Sequence, residues 1–252
     1  MLSKSDALRN WAGPLLAVLA LCFGTAQASV PANSGQLVLV ISENWEDRNG
    51  QLSAWTRGPE GEWQQEEVAT QVSLGRTGTA WGKGLHAPQE GVQKREGDGK
   101  APAGIFALGD AFGALSALNT GLNYQPMSES HYCIDVPGSP LYNQTVDAKL
   151  VGKAAVEGST EAMRRDIHSN DNLYSKGIFV AHNPENISGA GSCIFVHIWR
   201  GPDKPTAGCT AMPEAKIDAL LAWLKREAAP VLVVLPQAEY ERVQSLWDLP
   251  KR

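Results

Sequence analysis

Gly177-Ile-Phe-Val-Ala-His182 and Cys193-Ile-Phe-Val-His-Ile-Trp199 are the two runs that decide the fold. Both are short, rich in Val, Ile and Phe, and apolar at successive positions. A strand with one wet face alternates; a run that does not alternate is covered on both faces. The two runs are therefore read as strands in the centre of a sheet. Working outward, Gln36–Ser42 (QLVLVIS) has the same character. Gln51–Arg57 and Glu62–Leu74 read as further strands, with Gly58-Pro59-Glu60-Gly61 as the turn between them, which suggests an antiparallel meander. His131–Val136 and Pro230–Leu235 are also read as strands, and Ile105–Leu108 leads into a short element. Residues 75–104 carry glycines throughout and read as a long loop.

One helix stands out. Over Pro213–Ala228, the apolar residues Ile217, Leu220, Leu221, Leu224 and Ala228 follow the helical period. Pro213 suits the first turn, and Lys225 and Arg226 suit the negative end of the dipole. Thr160–Ile167 reads as a helical turn capped by Ser159 or Thr160, and Gln237–Arg252 as a short surface helix. Many strands with one main helix predict an all-β or β-dominated domain.

The N-terminus reads as a leader. Lys4 and Arg9 precede the apolar run Pro14–Gly24, and Ala26-Gln27-Ala28 closes it as an A-x-A cleavage site. The run is short for a bilayer span. Residues 1–28 are expected to be removed, leaving 29–252 as one domain in a secreted protein without stable membrane insertion. That mature chain carries 20 Lys and Arg against 26 Asp and Glu. A mildly acidic, mixed-charge chain has no nucleic-acid footprint. Three cysteines then remain: Cys133, Cys193 and Cys209. An odd number in an oxidising compartment suggests one disulfide and one free thiol. Cys133 with Cys193 is the candidate bridge, and two unpaired buried cysteines are the alternative.

The segment Ile194–Met212 (IFVHIWRGPDKPTAGCTAM) carries the chemistry. His197 ends an apolar run, and Cys209 follows Gly208 shortly before Pro213. A thiol nucleophile needs a base, a turn that presents sulfur, and a potential that favours thiolate. His197 is the candidate base, its second ring nitrogen held by an acceptor such as a backbone carbonyl. The helix start beyond Pro213 is the candidate source of positive potential. N–H groups of the turn, with Gly208 and Thr206, are the candidate oxyanion hole. Lys94, Arg95 and Lys100, around the glycine loop, are candidate binders of substrate carboxylates, and His182 is a candidate cleft residue. His182, His197 and Cys209 also form a conceivable zinc set, but no H-E-x-x-H or paired C-x-x-C accompanies them, and no metal is assigned.

At these residues the chain resembles the L,D-transpeptidase catalytic domain, or YkuD family. Thr206-Ala-Gly-Cys209 after His197 is similar to the family's nucleophile motif. Lys94–Phe106 (KREGDGKAPAGIF) is similar to its "GDGKTPAGxF" loop, and Gly191–His197 to its "GSxIFxH" strand. Leu141-Tyr142-Asn143 and the region from Asp166 to Tyr174 are reminiscent of it too. The likeness spans roughly residues 36–236. Ala207 stands where many members have a second histidine, and Thr210 where many have an arginine. The resemblance implies a β-sandwich with its site in a cleft at one end, no cofactor, a periplasmic location, and peptidoglycan stem peptides as partners. It implies that Cys209 attacks the carbonyl of an L-centre and passes the acyl group to an amine, forming a 3→3 crosslink, or to water. It also implies inactivation by carbapenems through Cys209. Hydrolysis of the same bond, or a silent wall-binding module, are the other readings.

Overall fold

The computed structural model describes residues 29–252; the leader read at 1–28, with Cys22, lies outside them. Of the described residues 35% are strand and 14% helix, so the fold is β-dominated, as expected. Strands β1 (Gln36–Ser42), β2 (Asn49–Arg57) and β3 (Trp63–Ser73) form the antiparallel meander. Next come β4 (Thr79–Trp81), β5 (Ala101–Gly113), β6 (Tyr124–Pro126), β7 (His131–Cys133) and β8 (Thr145–Asp147). Helix α1 (Ala148–Val151), β9 (Glu161–Ala162) and α2 (Arg165–His168) follow. The chain then runs through β10 (Lys176–Val180), β11 (Phe195–Ile198), β12 (Thr210–Met212), α3 (Glu214–Trp223), β13 (Val231–Pro236) and α4 (Gln237–Val243).

The large sheet runs β10-β11-β12-β3-β2-β1-β13-β5-β4. Its unusual feature is the length of β5. Gly104–Ala107 pair with β13, while Leu108–Gly113 pair with β10. One strand thus joins both ends of the order, and the sheet folds over upon itself in the manner of a β-sandwich. The burial pattern explains why the central strands do not alternate. In β1, Val38 and Val40 enter the core enclosed by the fold, with Phe106, Ile178, Val196 and the α3 residues Ile217, Leu220 and Leu221. Leu37, Leu39 and Ile41 point the other way, into a second core that holds Tyr240 and Val243 of α4 and Trp247. With both faces covered, each position gains from an apolar side chain, about 1.5–3 kcal/mol for a fully buried Val, Leu or Ile.

Several expectations need correction. The glycine-rich stretch is not all loop: β4 and the start of β5 lie within it. Gly104 makes this possible, because its backbone has φ +133° and a Cβ there would fall 1.9 Å from the ring of buried His86. The element at Ile105–Leu108 is part of a 13-residue strand. The main helix stops at Trp223, short of Ala228. The Gln36 side-chain amide accepts from Lys225 N–H and donates to the Trp223 carbonyl, and Gly121 N–H donates to the Leu224 carbonyl. These partners replace further helical bonds. Thr160–Ile167 is not a single capped turn. Asp135 takes the Thr160 N–H, Glu161 pairs with Cys133 in β7, and helix begins only at Arg165. The last segment is helical only to Val243, and it covers the second core instead of lying loose on the surface. Strands β7, β8 and β9 form a separate three-stranded sheet. Among the described residues no helix is long and apolar enough to cross a membrane.

Candidate active site

The two-residue period of β11 sorts its side chains. Val196 and Ile198 enter the enclosed core, so His197 shares the opposite face with Phe195. Strand β12 runs parallel to β11, with Val196 opposite Thr210 and His197 opposite Ala211. Cys209, one residue before Thr210, therefore lies on the His197 side. Both residues line one cleft, with Ala211, Ala207, Thr206 and Trp199.

His197 is only 5% exposed. Its Nδ1 lies 2.7 Å from the Ile198 carbonyl oxygen, and a carbonyl can only accept, so Nδ1 carries the proton and donates. Nε2 is left as the basic nitrogen. The acceptor expected to orient this ring is thus the backbone of the next residue. Tyr174 packs edge-on against the imidazole, with ring centroids 5.0 Å apart. Burial pushes the imidazole pKa down to about 4.

Cys209 is the free cysteine among the described residues, and it is buried. Its Sγ accepts from Phe195 N–H at 3.3 Å and donates to the Cys193 carbonyl at 3.5 Å. The expectation of a helix-stabilised thiolate is not met. The buried strand β12 separates Cys209 from α3, and burial pushes the thiol up to about 12. Thiol and imidazole are both neutral at rest. The turn before Cys209 is braced by Thr206. Its Oγ1 donates to the Cys209 carbonyl at 2.7 Å and accepts Gly208 N–H at 3.1 Å. The Gly208 N–H is therefore committed and is no oxyanion donor; Gly208 and Thr206 shape the turn. A Cβ on Gly208 would meet the Lys100 carbonyl oxygen at 2.9 Å and Ile194 Cδ1 at 3.3 Å.

Cys133 and Cys193 are joined by a disulfide. Cys193 precedes β11 with a left-handed backbone, φ +56°, and is not part of the strand that was expected to begin there. The bridge ties the three-stranded sheet to the segment that holds the thiol.

The charged candidates divide. Lys94 lines the cleft, but its Nζ is held by Asp98 Oδ1 at 2.5 Å and the Arg95 carbonyl at 2.6 Å. It contributes positive potential toward Cys209 and is not a free ligand for a carboxylate. Arg95 is exposed and outside the cleft. Lys100 Nζ donates to the Thr77 carbonyl at 2.6 Å, so its side chain pins the loop outside the cleft. His182 is buried, accepting Lys83 N–H on Nδ1 and donating from Nε2 to the Ala190 carbonyl. It is a structural histidine outside this cleft, and it does not converge with His197 and Cys209 on a common ligand. Trp199 lines the cleft, and Trp81 packs in the second core with Trp247.

The cleft also holds residues that were given no role from the sequence: Arg76, Glu96, Asp135, Glu161, Arg165 and Arg200. Arg165 forks onto Asp171, Nε to Oδ1 at 2.9 Å and Nη2 to Oδ2 at 2.7 Å. Tyr142 and Ser192 hydroxyls both donate to Glu96 Oε2, bracing the segment before Cys193. The likenesses at Lys94–Phe106 and around Asp166–Tyr174 pointed near this wall. Scans of the chain against protein-family models, curated proteins and solved structures return no match.

Proposed function

We propose that the protein is a cysteine acyltransferase of the L,D-transpeptidase type, acting on peptidoglycan stem peptides outside the cytoplasm. The observation that carries this reading is the placement of Cys209 and His197 on one side of neighbouring parallel strands in a common cleft, with His197 Nδ1 held so that Nε2 is the basic atom. With thiol and imidazole both neutral, proton transfer from Sγ to Nε2 accompanies attack on the carbonyl. The imidazolium then protonates the departing amine, and a thioester on Cys209 remains. An amine or water completes the turnover. The motifs at 94–106 and 191–209 support the stem-peptide substrate. The Cys133–Cys193 disulfide and the leader-like residues 1–28 support export to an oxidising compartment.

The test is incubation of the mature protein, with Cys209→Ala beside it, with purified disaccharide-tetrapeptide, read by mass spectrometry. A Cys209-dependent dimer lacking one terminal residue is the expected product. A shortened peptide alone would assign hydrolysis. An unchanged substrate with a folded protein would remove the reading.

A further inference from the structure

Three carboxylates line the cleft: Glu96, Asp135 and Glu161. Two are satisfied. Glu96 receives the Tyr142 and Ser192 hydroxyls, and Asp135 receives the Thr160 N–H and hydroxyl. Glu161 differs. Its Oε1 is buried and has no hydrogen-bond donor. The nearest cation, Arg165 Nη1, lies 3.9 Å away, beyond hydrogen-bond reach, because that guanidinium is forked onto Asp171. Arg200 also turns to Asp171, and Lys94 to Asp98. Arg165 thus stays at ion-pair distance from Glu161 without giving it a hydrogen bond. That carboxylate sits at the nucleophile: the Tyr174 hydroxyl reaches both the Glu161 carboxylate and the Cys209 thiol, and Oε1 is the carboxylate oxygen left without a donor. Its backbone is fixed, since Glu161 pairs with Cys133, which the disulfide ties to the Cys193 segment. The side chain keeps 20% of its surface open on the cleft. A buried carboxylate short of donors favours a ligand that brings both charge and N–H groups.

We propose that Glu161 is the subsite for a primary amine, the acyl acceptor of the reaction proposed above, on which this inference rests. The ammonium enters opposite the Cys209 thioester and gives one proton to the Glu161 carboxylate. Its nitrogen lone pair then attacks the thioester carbonyl and a C–N bond forms. The second proton passes to His197 Nε2. The C–S bond breaks with its electron pair on sulfur, and the imidazolium returns that proton to sulfur. Glu161 releases its own proton to solvent. Burial holds the Glu161 pKa up at about 7, which suits a group that takes and returns a proton near neutrality. Water needs no such subsite, so Glu161 separates transfer from hydrolysis.

Glycinamide and N-acetylglycinamide are the probes, titrated by NMR into the full mature protein and into Glu161→Gln. The wild type is expected to bind glycinamide at least about fivefold more tightly than the acetylated amide, and Glu161→Gln to lose that preference. Equal wild-type affinity for the two amides overturns the proposal, whether or not the variant folds. In the disaccharide-tetrapeptide assay, Glu161→Gln should raise the KM for glycinamide as acceptor and shift product toward hydrolysis while Cys209 is still acylated. Parallel loss of acylation and transfer would assign Glu161 a structural role and also overturn the proposal. Amine binding without any Cys209 adduct would remove the acyltransferase reading while the subsite stands.

Discussion

The thiol of Cys209 donates to the carbonyl of Cys193, and Cys193 is bound through its own sulfur to Cys133. The nucleophile's environment is thus held by a covalent staple it does not share. The bridge spans a sequence separation of 60 residues. Closing a loop of that size removes about 4 kcal/mol of unfolded-state entropy in the chain-entropy model. Cys133→Ser with Cys193→Ser should lower the melting temperature by about 5–15 °C, read by circular dichroism. It should also speed alkylation of Cys209, whose hydrogen-bond partner is loosened. A double variant that melts with the wild type would show that the bridge contributes nothing.

The resting thiol should be slow. With its pKa pushed up to about 12, the Cys209 thiolate fraction at pH 8 is on the order of 10⁻⁴. Iodoacetamide should therefore label it at least about 100-fold more slowly than a free thiol at that pH. Labelling should accelerate as pH rises beyond 9. Fast labelling at pH 7 would mean that the thiolate is stabilised in solution after all.

Acid should unfold the protein through its buried imidazoles. His197 and His182 both have folded pKa values lowered to about 4 from 6.5. Between those limits the unfolded chain binds protons that the folded chain refuses. The stability from keeping each ring neutral is present above pH 6.5 and is lost as pH falls toward 4, roughly 3 kcal/mol for each. Glu161 works in the opposite direction. Its folded pKa is raised to about 7 from 4.5, so its ionisation penalises the fold as pH rises from 4.5 through 7. Glu161→Gln should gain about 1–3 kcal/mol at pH 8 and nothing at pH 4. Urea titrations at pH 4, 6 and 8 test both statements, and an equal gain at each pH would contradict the second.

The turn before the nucleophile should tolerate Thr206→Ser but not Thr206→Val. The valine keeps the shape and loses the oxygen that joins Gly208 N–H to the Cys209 carbonyl. Leaving those groups unpaired should cost about 1–3 kcal/mol and slow Cys209 acylation at least about tenfold. Serine restores the bonds and should restore most of the rate. If Thr206→Val acylates as fast as wild type, the turn is not braced by this hydroxyl.

Gly208→Ala places a methyl 2.9 Å from the Lys100 carbonyl oxygen. That oxygen is backbone, and Ile194 Cδ1 crowds the methyl at 3.3 Å. Overpacking of this kind costs about 1–3 kcal/mol, and here it would shift the Cys209 backbone directly. Acylation of Cys209 should fall at least about tenfold. An unchanged rate would show that the Lys100 segment moves aside.

The structure brings into one cleft the two residues that local chemistry singled out. His197 and Cys209 were legible because a histidine at a strand end and a cysteine behind glycine and before a helix are uncommon together. Lys94, Arg95, Lys100 and His182 were misread because charge in a loop does not say which way a side chain turns. Asp98, Thr77 and the Ala190 carbonyl captured three of these four groups. Of the facing wall, Glu161 and Arg165 lie in the stretch read as a helical turn, and Tyr174 lies beyond it.

Apolar patterning by itself determined the strand-rich class, the strands within Gly177–His182 and Cys193–Trp199, and the helix after Pro213. These depend on which faces a residue run must bury, a property the run carries with it. Only the tertiary structure decided that β5 joins both ends of the sheet, that Gln36 ends α3 at Trp223, and that Cys133 meets Cys193. It also decided that the thiol and imidazole are neutral. Their protonation is set by burial among residues far apart in the chain, and desolvation is a property of the packed surroundings that no short segment contains.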